Sequence, residues 1–171
     1  MRQQCPLRRS MERKNMEQTE KAQRQRAVDR FATETQRMLA RENVFPKRLR
    51  WQYAESLSRI TNVFDTLVNV ADGIKPTSKV LYETRLLLFT LSLAVLSALV
   101  AKMTQAMRVL EVPADKFETW TKLQKAAKSS LYRQINGDKK KYEPQFGEVS
   151  VSGGLETVCS ILITLLGIRS F

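Results

Sequence analysis

The sequence predicts an all-α protein, an antiparallel four-helix bundle with a basic N-terminal arm and a poorly defined apolar C-terminal tail. Three observations predict it. Apolar residues recur at steps of three and four through most of the chain, the spacing of one helical face. No strand-like alternation stands out before residue 147. Proline- or glycine-marked breaks divide the middle of the chain into four helical stretches with short connections, which favours antiparallel neighbours. A chain of 171 residues, 43% of them hydrophobic, has room for one domain with tails. The expected division is a disordered basic arm over 1–14, the bundle over 15–142, and a linker with an apolar tail over 143–171.

The first helix is expected over 15–42, a stretch rich in Glu, Gln, Lys, Arg and Ala, all good helix formers. Val28, Phe31, Thr35, Met38 and Leu39 trace its apolar stripe, and Asn43 and Pro46 end it. The second runs from Lys47 to Asp72, with Leu57, Ile60, Phe64, Leu67, Val68 and Ala71 facing inward. Gly73 stands where a left-handed cap belongs, and Pro76 follows.

Thr77 or Ser78 is the expected N-cap of the third helix, which extends to about Leu110. It contains LLLFTLSLAVLSALVA, sixteen residues without a charge between Arg85 and Lys102. A bilayer-spanning helix needs roughly 20 apolar residues. The helical periodicity of Leu81, Leu88, Leu91, Val95, Leu99, Met103 and Leu110 continues past both ends of the stretch. A central bundle helix, buried on more than one side, is therefore the better reading, and a membrane partner is not expected. Val112-Pro113-Ala114-Asp115 breaks and restarts the chain. Phe117, Trp120, Gln124, Ala127, Leu131 and Ile135 then mark the inner face of the fourth helix, and Asn136-Gly137 is expected to stop it. The apolar segment 155–168, LETVCSILITLLGI, is too short to span a bilayer comfortably. Docking on the bundle or a partner, an interfacial anchor and an aggregation-prone strand all remain open for it.

Composition excludes much chemistry. There is no histidine, which removes Ser-His-Asp and Cys-His catalysis and most zinc sites. No glycine-rich phosphate loop of either common type is present. Glu83, Glu111, Glu118 and Asp65 lack the Glu-x-x-His spacing of bundle metal sites and read as solvated charges. Cys5 and Cys159 sit in the tails and offer no disulfide framework. The basic N-terminus lacks the apolar core of a signal peptide. The expectation is a cytoplasmic, non-enzymatic protein without cofactor, metal or small-molecule substrate.

Charge carries the functional signal. The net charge is +12 and the pI about 10.0, which points to a polyanion such as RNA or DNA. Its distribution is uneven: +8 over residues 1–50, zero over 51–115, +6 over 116–142 and −2 beyond. Lys47, Arg48 and Arg50 cluster beside Trp51 at the start of the second helix. Lys122, Lys125 and Lys128 form a ridge on the fourth, followed by Arg133 and by Lys139, Lys140 and Lys141. These residues are the candidate nucleic-acid-binding set: lysine and arginine neutralise phosphates and release counterions, and an indole can stack on an unpaired base. Trp120 lies on the apolar stripe and is expected in the core.

The run ENVFPKRLRWQYAESLSRITNVFDTLVNVADGIKPTSKVLYETRLLL, continued by VLEVPADKFETWTKLQKAAKSSLYRQINGDKKKYE, resembles the accessory variability determinant proteins of diversity-generating retroelements. The likeness covers about residues 28–143. It rests on the FPKR entry to the second helix, the PT-x-x-x-x-Y-E-x-R entry to the third, the V-P-A-D-K turn and the basic close of the fourth. The resemblance implies a four-helix bundle assembled as a ring-like homo-oligomer, a pentamer. It implies a protein without catalytic activity that binds template RNA or DNA and the reverse transcriptase during error-prone complementary-DNA synthesis. By position, Lys47, Arg48 and Arg50 belong to the second-helix entry, and Arg133 and Lys139 to Lys141 to the basic end of the fourth. This chain departs from the pattern where Gln134-Ile135-Asn136-Gly137 interrupts that basic run. The bundles encoded in ribosomal-RNA intervening sequences share the architecture, and with a peripheral membrane or purely structural protein they form the alternative reading.

Overall fold

The structure, a computed structural model, describes residues 6–149, and the side chains of all of these except 6–21 and 48–51. Four helices are present among the described residues: α1 (Pro6–Ala40), α2 (Lys47–Gly73), α3 (Lys79–Val109) and α4 (Glu118–Phe146), with a 3-10 turn, Ala114–Phe117, leading into α4. The all-α bundle expected from the periodicity is what the chain forms. The expected arm and tail at 1–5 and 150–171 lie outside the described residues.

Cross-helix pairs give the arrangement. Arg24 meets Asp72, Gln25 meets Asn69 and Gln36 meets Asn62, so α2 is descended as α1 is climbed. Arg24 meets Gln134 and Thr35 meets Trp120, so α1 and α4 also run in opposite senses. Tyr82 lies against Tyr142 while Arg85 pairs with Asp138, and α3 opposes α4 in the same way. Helix α1 thus has α2 and α4 as neighbours, and α3 closes the bundle opposite it.

The core is built from the stripes that helical spacing defines. Val28, Phe31, Met38 and Leu39 of α1 are buried against Leu57, Ile60, Phe64, Val68 and Ala71 of α2 and against Trp120, Ala127 and Leu131 of α4. Phe31 lies edge-on to Phe64, ring centres 5.8 Å apart, and 5.4 Å from Trp120. Hydroxyls that fall on these stripes return to their own helix. Thr35, Thr61 and Ser92 donate to the carbonyl four residues earlier, so they enter the core without an unmet hydrogen bond.

Four expectations are corrected. Helix α1 opens at Pro6 rather than near residue 15; proline suits a first helical turn because its missing N–H is unneeded there. Gly73 is not a left-handed cap: α2 ends through Ile74 in extended conformation. Asn136-Gly137 does not stop α4, which continues to Phe146 with Pro144 in its last turns. Asp138, directly after Gly137, is buried and ion-paired to Arg85, and that anchor holds the helix across the glycine. On α3 the inward face includes Tyr82, Arg85, Leu86 and Phe89, while Leu81 is exposed and Leu88 only half-buried. Where every residue is apolar, periodicity cannot choose a face. Ser78 does cap α3, accepting from the Leu81 amide at 3.4 Å.

By length and composition α3 could cross a membrane, and a little under half of its most apolar stretch is buried in the bundle.

Candidate nucleic-acid interface

The candidate residues divide between the two ends of the bundle and the outer surface of α4. Lys47 starts α2 beside the α1–α2 connection, exposed, its Nζ 3.3 Å from the Glu42 carboxylate. Arg48, Arg50 and Trp51 follow on the same first turns of α2; their side chains lie outside the described residues. Lys116 donates to the Asn43 carbonyl at 3.4 Å, which places the start of α4 at this same end. Lys122 is therefore a neighbour of the Lys47 end. Lys139, Lys140 and Lys141 lie at the opposite end. Eighteen helical residues separate Lys122 from Lys140, about 27 Å, so the two basic groups are joined only along α4.

Helix α4 supplies that join. Lys125, Lys128, Tyr132 and Lys139 succeed one another by three, four and seven residues, which puts them on one side of the helix. Lys125, Lys128 and Tyr132 are exposed and Lys139 half-buried. Lys122, Arg133 and Lys140 are exposed as well and form a second row, spaced by eleven and seven. The inner face of the same helix carries Trp120, Ala127, Ser130, Leu131 and Asp138. The ridge stands outside because the stripe opposite it is buried.

Neighbouring carboxylates decide how much of this charge is available. Glu118 holds Lys122 at 2.6 Å, one helical turn away. Among the described residues no carboxylate lies within ion-pair distance of Lys125, Lys128, Arg133, Lys139 or Lys140. Lys128 reaches over the Tyr132 ring, 6.0 Å from its centre, and Lys141 over the Tyr142 ring at 5.2 Å. A tyrosine ring is an attractive surface for an ammonium.

Tyr132 was not among the candidates that sequence reasoning selects. It is 49% exposed in the middle of the lysine row. The Lys128–Tyr132 step of four residues is the signal in the sequence that places it on the lysine side of the helix. Trp120, by contrast, is core as expected, 4% exposed, its Nε1 donating to Thr35 Oγ1 at 2.9 Å.

The second feature missed from sequence is a ring of buried polar groups linking all four helices. Arg24 of α1 donates to Asp72 of α2 and to Gln134 of α4. Gln134 Nε2 donates to Asp138 Oδ1 at 2.7 Å, and Asp138 Oδ2 accepts from Arg85 Nε at 2.7 Å. Arg85 closes the circuit by donating from Nη1 to the Ala71 and Ile74 carbonyls of α2, at 2.9 and 2.8 Å. The Phe89 ring lies between the two guanidinium groups, 5.6 and 5.0 Å from them. This ring turns two carboxylates inward, away from the lysine row of α4, and it balances them internally with Arg24 and Arg85.

Among the described residues no group of three or more carboxylate or cysteine side chains is placed to hold a metal ion. No family model, curated protein or solved structure matches the chain.

Proposed function

We propose that this chain is a non-catalytic nucleic-acid-binding bundle, an accessory of the reverse transcriptase in a diversity-generating retroelement. It acts as a homo-oligomer that engages template RNA or complementary DNA together with that enzyme. The observation that carries the reading is the outer surface of α4, where Lys125, Lys128, Arg133, Lys139 and Lys140 stand without ion-pair partners among the described residues around the exposed Tyr132. Unpaired lysines along about 20 Å of helix can neutralise successive phosphates of a strand and release their counterions. A phenol at their centre offers a stacking surface for a base, which favours single-stranded segments. The four-helix fold and the sequence likeness over 28–143 supply the retroelement context.

The test is a filter-binding titration of the full chain against single-stranded RNA, single-stranded DNA and duplex across a salt series. The expected outcome is a complex whose affinity falls linearly on a log–log plot against salt. Tyr132→Ala should weaken single-stranded binding by about 1–3 kcal/mol and duplex binding much less. A chain that forms no salt-dependent complex ends the nucleic-acid reading. Co-purification with the reverse transcriptase of the same element tests the partner half, and a chain that never co-purifies with it ends that half alone.

A further inference from the structure

The described chain leaves the bundle beside the start of α3: the Phe146 ring lies 6.0 Å from Tyr82. The same region leaves apolar side chains uncovered. Val70, near the end of α2, is 49% exposed and Val80, in the first turn of α3, is 68% exposed. Val80, Leu87, Ala94, Ala98 and Ala101 succeed one another by seven, seven, four and three, so they share one side of α3. Leu87 is half-buried, the three alanines are exposed, and Leu91 at the edge of this side is buried against the bundle. No charge interrupts this side between residues 86 and 101. A lysine or glutamate is the usual occupant of an outward helical position, and its absence over four turns marks a covered surface.

We propose that residues 155–168 of the same chain cover it, packed along α3 and running in the same direction. The segment carries its own argument for a one-sided partner. At helical spacing Leu155, Val158, Ile161, Leu162, Leu165 and Ile168 fall on one broad face with Leu166 and Cys159 at its edge, and Glu156, Ser160, Thr164 and Gly167 lie on the opposite side, where Ile163 beside Glu156 is the one large apolar residue. A helix of this pattern needs a surface on one side and water on the other. It has no lysine or arginine within it, which an anchor for anionic lipid would use.

Dimensions agree. As a helix, fourteen residues measure about 21 Å, and the sixteen-residue uncharged stretch of α3 measures about 24 Å. Residues 147–154, with Gly153-Gly154 at their end, reach at most about 26 Å, enough to turn from the end of α4 onto α3. The tether also selects the occupant. A segment joined by eight residues is present at an effective concentration near the millimolar range, far above that of a second copy. This inference goes beyond the nucleic-acid reading and does not depend on it.

The experiment uses the full chain with Cys5→Ser, so that Cys159 is the single native thiol. A second cysteine is placed on the α3 face as Ala94→Cys or Ala98→Cys, and, as a control, on the outer side of α4 as Ser129→Cys. The expected result on mild oxidation is a disulfide within one chain for at least one of the α3 variants and none for the α4 control. Formation between two chains, equal formation in the control, or none at either α3 position overturns the proposal. A second measurement needs no α3 substitution. With Cys5→Ser alone, maleimide should label Cys159 at least about tenfold more slowly than in urea, as expected for a thiol held in a folded contact. Labelling that is fast in buffer and slowed only by added anionic vesicles overturns it in favour of a membrane surface.

Discussion

Tyr82 is a phenol buried where its ionised form is disfavoured. Its ring is buried among Tyr142, Phe146 and the start of α3, and its hydroxyl has no hydrogen-bond partner among the described residues. Burial, together with the negative charges of Glu143 and Asp138, pushes its pKa up from 10.0 to about 12. An exposed tyrosine in the unfolded chain ionises near 10, so between pH 10 and 12 the unfolded state holds fewer protons than the folded one. Stability tied to this group is therefore complete below pH 10 and is lost as the pH rises through 12. Tyr82→Phe keeps the ring contacts and deletes an unmet donor. It should leave stability at neutral pH unchanged or raise it by up to about 1 kcal/mol, and it should flatten the decline above pH 10. Denaturant melts of both proteins from pH 7 to 12 check this, against the background of lysine titration they share. A variant that declines as steeply as the parent would show that another group sets the alkaline limit.

At the scale of elements, the buried ring determines which helix faces meet at this end of the bundle. Arg85 neutralises Asp138 and donates to the Ala71 and Ile74 carbonyls where α2 ends, a place where carbonyls lack helical partners. Arg85→Ala leaves the Asp138 carboxylate buried without its ion pair and the Ile74 carbonyl without the guanidinium donor, while the Ala71 carbonyl keeps the Ile74 amide at 3.3 Å. A loss of about 3–5 kcal/mol follows, measurable as a drop in urea midpoint. Arg85→Met combined with Asp138→Leu removes both charges together and should recover most of that loss, because the cost lies in the stranded partner. If the double variant is no better than Arg85→Ala, the carbonyl contacts and not the charge pair dominate.

The same ring shows what the sequence could and could not disclose. Stripes such as Val28, Phe31, Met38 on α1 and Leu57, Ile60, Phe64, Val68 on α2 are local patterns, and they were legible. Ser78 and the break at Pro113 are local signals too. The ring joins residues 48, 53 and 110 positions apart; spacing puts Arg24 on the stripe of Val28 and Phe31, away from the exposed Arg26 and Arg30, but nothing local shows which carboxylate it meets. The continuation of α4 past Gly137 was hidden for the same reason, since it depends on a partner on another helix. Of the candidate site, the lysine ridge was legible as spacing. The Glu118–Lys122 pair was legible too, as a step of four on one helix, whereas the Glu42–Lys47 contact crosses the α1–α2 connection and depends on how the chain turns there.

Across the whole molecule, cations fall into two populations. On the α2–α3 side, Arg59 is paired with Glu55, and Lys79 lies 4.0 Å from Glu83. Five cations on α4 have no such partner among the described residues, and neither do Arg26, Arg30, Lys75, Lys102 and Arg108 elsewhere, but α4 gathers its five on one outer surface around Tyr132. Only the second population can exchange counterions for phosphates without first breaking an ion pair. Reversing Lys125, Lys128 and Lys139 to Glu should therefore lower affinity for RNA or DNA by about two orders of magnitude near 0.1 M salt and flatten the salt slope by about one unit per lysine. Reversing Arg59 and Lys79 should change affinity several-fold at most, and the parent and triple variant should converge as salt approaches 1 M, where screening shortens to about 3 Å. Binding curves across a salt series for the three proteins decide it. Equal losses from both sets of reversals would mean that net charge alone drives association, and the α4 surface would then have no special part in it.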